Sequence, residues 1–443
     1  MYKTLSSPLT VQLEISSLCP NNCIHCYNYW RRKDVKTSDL SEKCAQMSLN
    51  QTEHVLDELE RSQVFYVVLT GGEPLMNKES LYCALDRIEK STLAVASVNS
   101  TLINLDNDDA KALSRYKHLT SVLVSIMGQN EKIHDDIAQR SGSFQETIKG
   151  IRLLKENQVN VSVNMVVSHL NQHYIRETAQ LVRSLGISNF NVTRATCPSG
   201  CAGFREYSLD LMELRSYLED LVQLEKEYNL RTGVLTVYPL CAIKDVFRYH
   251  MVAGKRCSAG ITAVAVSALG QVRVCTHVSI SHGNIFNESL CAIWQRMYEW
   301  RDGSLIPPIC KKCKALLICG GGCRAEAEVI NGEFGAEDSL VSPSDAQDAL
   351  ESFYKLKQFQ DDSVMLPNNL ALNPDLRWRK ENFGSIVYIG NQCAAFLNEE
   401  ATRFLFADRI NTFEFPCSLN KLTELLLPKF VSALYQQRIL ISC

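Results

Sequence analysis

The chain has no apolar run approaching the roughly 20 residues that cross a bilayer. Its start, MYKTLSSPLTVQLEIS, has no basic stretch followed by an apolar one. Neither a membrane span nor a secretory signal is expected, so the expected location is the cytoplasm. Basic blocks are missing too, and the net charge is only −3. Bulk attraction to nucleic acid or to an anionic membrane surface is therefore not indicated. Internal repeats are absent. Hydrophobic content of 46% and charged content of 21% are those of a soluble globular protein. A length of 443 residues leaves room for two or three domains.

What the chain has in quantity is cysteine. Eighteen cysteines in a reducing compartment point to metal or cofactor ligation rather than to a disulfide framework. Three of them stand in Cys19-Pro-Asn-Asn-Cys23-Ile-His-Cys26. This C-x3-C-x2-C run supplies three thiolates from one short loop. A cubane four-iron cluster needs four ligands, so three cysteines leave one iron open to bind and activate something else. Zinc would want a fourth local ligand at finger-like spacing, and His25 lies too tightly between two cysteines to join them. From the triplet alone, a zinc site or no metal at all remain alternatives.

Apolar runs at 11–16, 64–70, 93–97, 121–126, 160–167 and 189–193 read as strands. Helical patterns lie between them, one ending near 61, the others at 78–90, 107–115, 144–157, 172–185 and 208–228. Asn50 with Glu53 and Ser143 with Glu146 read as capping boxes. Six β-then-α units argue for a parallel α/β sheet, either doubly wound or a partial barrel. In both, chemistry sits at the C-terminal ends of the strands, where the cysteine loop follows the first one. From about 250 to 342 glycine, cysteine and proline rise. Pro343 and the LPNNLALNP stretch read as a linker.

Thr70-Gly-Gly-Glu-Pro74 closes the second strand. Alone it is an ordinary turn. Its glycines let the backbone approach a ligand closely, and Glu73 offers a carboxylate to an ammonium group. Coming one β-α unit after the cysteine triplet, it makes the chain resemble the radical S-adenosylmethionine (radical SAM) superfamily over about residues 10–230. The resemblance implies a partial (β/α)6 barrel. It makes Cys19, Cys23 and Cys26 the ligands of the catalytic [4Fe-4S] cluster, whose open iron chelates S-adenosylmethionine. Gly71, Gly72 and Glu73 would then sit at the methionyl end of that cofactor. Further matches are 97–103 and Val124-Ser-Ile-Met-Gly128, where Ser125 fits a cofactor contact although Met127 replaces the usual Asp. His134-Asp135, Arg140 and Gly142-Ser-Phe144 match the segment that follows. His25 takes the usually aromatic place before the third cysteine.

A second set is equally ordered: Cys257-x12-Gly270-x4-Cys275, then Cys310-x2-Cys313-x5-Cys319-x3-Cys323. The four-cysteine run by itself suits a zinc ribbon or an iron–sulfur site. The whole pattern resembles the SPASM extension of radical SAM enzymes. That resemblance implies two auxiliary [4Fe-4S] clusters with interleaved ligands. Cys257, Cys275 and Cys323 would serve one, and Cys310, Cys313 and Cys319 the other. The family's final cysteine, expected at 338–341, is absent, so the second auxiliary cluster would take Asp338 or a distant cysteine, or stay open. Cys241, with Cys197 and Cys201 behind it, is the nearest candidate for the missing ligand of the first auxiliary cluster. Cys44, Cys83 and Cys291 fall in helical patterns and are expected to pack as small hydrophobes. Cys443 reads as incidental.

The C-terminal piece resembles the recognition element that binds leader peptides of ribosomally made natural products (RiPPs). The matching residues are Leu376-Arg-Trp-Arg379, Ser385-Ile-Val-Tyr-Ile389 and Phe396-Leu-Asn-Glu-Glu-Ala401, with helices expected at 418–426 and 428–437. That small α+β winged-helix-like fold accepts a peptide as an added strand; a plain capping domain is the alternative. The expected organisation is a radical SAM barrel at 1–235, a cysteine-rich SPASM domain at 236–342, a linker at 343–375 and the recognition element at 376–443.

The resemblances together imply a peptide maturase. Its 5′-deoxyadenosyl radical would take hydrogen from side-chain carbons of a ribosomal precursor and close intramolecular crosslinks. The run from His25 to Arg31 looks like that of darobactin- and xenorceptide-type crosslinking maturases. Expected partners are the precursor, through its leader, and an electron donor such as flavodoxin or ferredoxin, with no nucleic acid and no membrane. The rival readings are sulfatase-maturase-like oxidation of a protein Cys or Ser, and peptide epimerisation. A metal-stabilised DNA-binding regulator is the non-enzymatic one, and the missing basic stripe argues against it.

Overall fold

Strand β1 (Thr10–Ser16) runs through the middle of the molecule with both faces covered. Val11, Leu13 and Ile15 are buried on one side, and Glu14 and Ser16 are buried on the other. Burial on both faces is what a parallel sheet flanked by helices demands. The computed structural model describes residues 3–28, 30, 43–196, 206–252, 255–362, 365–407, 417–420 and 428–442.

After β1 come α1 (Leu49–Arg61), β2 (Tyr66–Gly71), α2 (Lys78–Glu89), β3 (Val95–Ser100) and α3 (Asn107–Leu113). They are followed by β4 (Leu119–Ser125), α4 (Glu131–Ala138), α5 (Ser143–Glu156), β5 (Val161–Val167) and α6 (Ile175–Ser184). The unit ends with β6 (Asn189–Arg194), α7 (Leu211–Tyr228) and β7 (Arg231–Gly233). Strands β1 to β7 lie side by side in chain order and are all parallel. A doubly wound sheet would reverse its order at a switch point. No reversal occurs between β1 and β7, so this is a partial barrel.

Helix α1 shows why such segments fold onto the sheet. Val55, Leu56 and Leu59, three and four residues apart, are buried on one face, each contributing about 1.5–3 kcal/mol. Its N-cap is Ser48, boxed with Gln51, and not the expected Asn50 with Glu53. Ser143 caps nothing either. Helix α5 starts after a left-handed Gly142 with no side-chain cap. The Ser143 hydroxyl pairs with Asn21 and His134 instead, while Glu146 pairs with Arg140 at 2.6 Å. The expected helix at 172–185 opens as a separate 3-10 turn, Gln172–Tyr174, before α6. Helix α4, capped by Asn130, has no counterpart in the sequence reading.

The short helix α8 (Leu240–Ile243) precedes β8 (Ala263–Val266), which pairs parallel with the outer side of β1. Antiparallel β9 (Gln271–Arg273) and β10 (Ser281–Asn284) complete a ten-stranded sheet. The cysteine-rich region therefore extends the barrel's own sheet. Its remainder is built of α9 (Leu290–Arg296), α10 (Pro308–Lys311), α11 (Leu316–Cys319) and α12 (Arg324–Asn331).

The stretch 343–375, expected as a linker, contains α13 (Ala346–Asp362), which packs on α8, and then β11 (Asn369–Leu372). Strand β11 pairs with residues near the chain end, so the C-terminal module begins before 376. Within it β12 (Leu376–Glu381), β13 (Gly384–Ile389) and β14 (Gln392–Asn398) form an antiparallel sheet. Helix α14 (Glu399–Thr402), β15 (Cys417–Ser418), α15 (Pro428–Gln436) and β16 (Leu440–Ser442) follow. Most of the helix expected at 418–426 lies outside the described residues.

The module is bolted to the barrel. Buried Arg379 pairs with Glu381 at 2.7 Å and donates to the carbonyls of Ser7, Pro8, Ser62 and Gln63. Glu381 accepts in return from the amide and hydroxyl of Ser6. The Tyr388 and Phe65 rings stack at 4.5 Å. Ser7, Pro8 and Phe65 all precede their strands. The module therefore covers the N-terminal end of the barrel, opposite the cysteine loop.

Candidate cluster and cofactor site

The loop after β1 rests on α4. Asn22 and Ile24 donate their amides to the carbonyls of Ala138 and Ile137, at 3.0 and 3.1 Å, and the Asn21 side chain donates to Ser143 Oγ at 3.1 Å. This explains the His134–Phe144 match: the segment is the ledge that shapes the cysteine loop. Cys19, Cys23 and Cys26 are half-buried there. Desolvation, with His134 nearby, holds the His25 pKa down at about 4, so its imidazole is neutral at neutral pH.

The second motif is laid directly on the first. A Cβ at Gly72 would stand 2.2 Å from the Leu18 carbonyl oxygen, and one at Gly71, whose φ is +139°, 2.2 Å from that of Ser16. Without side chains, the amides of Gly72 and Glu73 reach the carbonyls of Ser16 and Leu18 at 2.6 and 2.7 Å. Two side chains after Cys26 close the seam. Asn28 Nδ2 donates to the Gly71 carbonyl at 2.9 Å, and the Tyr27 hydroxyl lies 3.2 Å from Thr70 Oγ1. Tyr27 and Asn28 had no assigned role in the sequence, because their targets are 43 residues away.

Glu73 differs from expectation. Its carboxylate is fully buried and accepts four hydrogen bonds, from Leu75 N, Ser100 Oγ, Thr101 N and Thr101 Oγ1. Burial raises its pKa while these donors pull it back. Such a carboxylate has nothing left for an ammonium group. What it does is lock the Gly-Gly turn to the end of β3.

Ser125 ends β4 half-buried, in register with Asn164 on β5. Thr193 on β6 donates to Asn164 Oδ1 at 2.8 Å, so a polar row crosses the C-terminal ends of β4, β5 and β6. Met127, in the usual Asp place, is buried, and its amide donates to His134 Nδ1.

The downstream cysteines fall into two groups. Cys275 and Cys323 each interact with Cys257. Cys310 interacts with Cys313, Cys319 and Cys241. Cys241 was expected with the first group and is found with the second. Asp338 joins neither as a ligand. It is buried in an ion pair with Arg194 at 2.7 Å and accepts from the amides of Cys323 and Leu340. Backbone amides aim at several sulfurs: Leu240 N at Cys319 Sγ and Ser342 N at Cys241 Sγ, both at 3.3 Å. Amide donors favour the thiolate form that iron requires. Sets of half-buried cysteine sulfurs, with backbone amides aimed at some of them, are the donor chemistry that iron–sulfur clusters use.

Of the remaining cysteines, Cys44 and Cys291 are exposed and Cys83 is half-buried, so the first two are not packed hydrophobes as expected. Cys197, Cys201 and Cys443 lie outside the described residues, as do Tyr29 and Arg31 of the 25–31 run.

Fold and cysteine architecture define an iron–sulfur protein with a barrel-mouth site. Comparison with known families then gives its class. Residues 13–182 match the radical SAM superfamily and residues 257–314 match the SPASM iron–sulfur cluster-binding domain. The chain is a radical SAM enzyme with a SPASM domain, and its cofactors are S-adenosylmethionine and [4Fe-4S] clusters. It is 23% identical over 353 residues to an AdoMet-dependent heme synthase of Methanosarcina barkeri, covering 76% of this chain and 97% of that protein. It is 27% identical over 290 residues to the subtilosin biosynthesis protein AlbA of Bacillus subtilis, covering 65% of this chain and 59% of AlbA. With the mycofactocin maturase MftC of Mycolicibacterium smegmatis it shares 26% over 335 residues, 72% and 79% of the two chains. The fold is shared with native anSMEcpe with bound AdoMet, at TM-score 0.61 and 18% identity, over 80% of this chain and 99% of that one. It is shared equally with Streptococcus suis SuiB bound to precursor peptide SuiA, at TM-score 0.60 and 18% identity, over 78% and 77% of the two chains. Among the described residues no helix is long and apolar enough to cross a membrane.

Proposed function

We propose that the chain is a peptide maturase that crosslinks side chains of a ribosomally made precursor. The observation that carries this reading is a module with an open strand edge, bolted to a barrel whose mouth holds the cysteine and Gly-Gly-Glu loops. Strand β14 pairs only with β13 among the described residues, and Phe396 on it is 44% exposed. Such an edge can take a leader peptide as an added strand. AlbA, MftC and the SuiB complex with a precursor peptide support a peptide substrate. The heme synthase match leaves part of this chain uncovered and gives no reason for such a module.

When bound, the cluster at Cys19, Cys23 and Cys26 and its S-adenosylmethionine supply a 5′-deoxyadenosyl radical that removes hydrogen from an unactivated carbon. The protein's part is to bind and orient. Gly71 and Gly72 present bare backbone to the methionyl end, and Glu73 and Asn28 hold that backbone in place. Ser125, Asn164 and Thr193 line the polar row across the mouth. The downstream cysteines would hold auxiliary clusters, which would supply an acceptor for the electron left when a new bond closes. A cytoplasmic flavodoxin or ferredoxin fits as donor.

Incubation with the co-encoded precursor, read by intact mass, tests the reading. One crosslink removes about two hydrogens, one to the radical and one as a proton plus an electron. An unchanged mass with 5′-deoxyadenosine still formed would overturn crosslinking and leave epimerisation open.

A further inference from the structure

We propose that Cys241 is the fourth thiolate of the auxiliary cluster held by Cys310, Cys313 and Cys319. It would replace the cysteine that the chain lacks at 338–341. The assignment rests on the auxiliary-cluster reading above, and the family match, at 257–314, does not reach Cys241.

Two hydrogen bonds fix the geometry. Leu240, the chain neighbour of Cys241, donates its amide to Cys319 Sγ at 3.3 Å. Ser342, just after the segment where the missing cysteine belongs, donates its amide to Cys241 Sγ at 3.3 Å. A sulfur from the α8 turn thus lies beside 338–341, the segment where the missing cysteine belongs. Asp338 cannot serve there, since Arg194 and two backbone amides hold its carboxylate.

The turn itself is clamped. Arg215 donates to the carbonyls of Cys241 and Ala242 and pairs with Asp345 at 2.7 Å, and Asp345 also pairs with Lys244 at 3.0 Å. This ties α8 to the chain just past Ser342. On the other side, Gly320, Gly321 and Gly322 all have positive φ and wrap the loop between Cys319 and Cys323. A Cβ at Gly321 would come 3.7 Å from Cys310 Sγ. Rigid support of this kind on both sides is what a ligand set needs. Cys257, Cys275 and Cys323 form the other group, left with three cysteines among the described residues.

The test is iron content and electron paramagnetic resonance of the anaerobically purified full chain. Three four-iron clusters give about twelve iron atoms per chain. Cys241→Ala should lose one to about four irons or show a three-iron signal, while Cys83→Ala keeps the full complement. Combined with alanines at Cys310, Cys313 and Cys319, Cys241→Ala should remove no further iron. Full iron and an unchanged spectrum in Cys241→Ala would overturn the assignment, as would a further loss of about four irons in the combined variant. A wild-type chain with only about four irons would overturn the auxiliary-cluster reading along with it. S-adenosylmethionine cleavage at the first site, retained in Cys241→Ala, reports that the barrel has folded.

Discussion

The Tyr27 ring lies 5.3 Å from the imidazole of His277, tilted by 30°. Tyr27 follows Cys26, the last cysteine of the N-terminal loop. His277 Nδ1 stands 3.8 Å from Cys275 Sγ, in the downstream set. Two rings therefore bridge the N-terminal cysteine loop and the downstream cysteine set. Arg273, buried beside them, pairs with Glu14 of β1 and holds the carbonyls of Thr276 and Val278. The bridge is fixed from below.

His277→Ala should leave iron content unchanged and lower the product formed per 5′-deoxyadenosine severalfold, because electrons no longer return efficiently. Product and 5′-deoxyadenosine measured in the same reaction give the ratio. An unaltered ratio would remove His277 from the route.

The Gly-Gly turn has no room for a methyl group. Gly72→Ala drives a Cβ to 2.2 Å from the Leu18 oxygen, so the turn or the cysteine loop must move. S-adenosylmethionine binding should weaken, and its cleavage should fall about 100-fold, the rate cost of misplacing a reacting group by about 1 Å. Gly335→Ala, with nothing within 4 Å, is the matched control and should bind normally. Equilibrium binding checks both.

Glu73→Ala leaves buried donors on Ser100, Thr101 and Leu75 without their acceptor. An uncompensated buried polar group costs about 1–3 kcal/mol, so a shift in the melting midpoint should accompany the lost binding. A variant that loses binding at unchanged stability would show that the carboxylate meets the ligand directly.

His134 is 2% exposed, and burial lowers its pKa from 6.5 to about 4. Between those values the unfolded chain takes up a proton that the folded chain refuses. Stability is therefore full above pH 6.5, falls as the pH drops, and stops falling from this source below about pH 4. The total loss is about 3 kcal/mol. Denaturation of wild type and His134→Gln across that window should show a shallower slope in the variant.

The module and the cysteine loop lie at opposite ends of the barrel strands. A seven-residue strand such as β1 is about 23 Å long. A precursor held at β14 needs at least about seven extended residues to reach the mouth. Shortening the spacer below that should abolish modification and leave leader binding unchanged, as fluorescence anisotropy and mass spectrometry would show.

Much of this was legible in the chain. Apolar periodicity located β1 to β6 within a few residues, and the Cys19–Cys26 and Thr70–Pro74 motifs named the chemistry. Relationships made by folding were not legible. Cys241 reads as a partner of the first auxiliary group by proximity in sequence, yet the α8 turn carries it to Cys319. Asp338 looked like a stand-in ligand because nothing in sequence announces Arg194, 144 residues earlier. Glu73 looked like a ligand group because its four donors come from a neighbouring strand end and turn. The helix at 346–362 was hidden by the turn-forming residues on either side of it.

The most direct measurement is iron and 5′-deoxyadenosine in a variant with alanine at Cys19, Cys23 and Cys26 together, purified anaerobically. The expected result is a loss of about four irons from about twelve, with cleavage of S-adenosylmethionine abolished and the downstream clusters intact. Full iron content, or cleavage that survives the triple substitution, would contradict it.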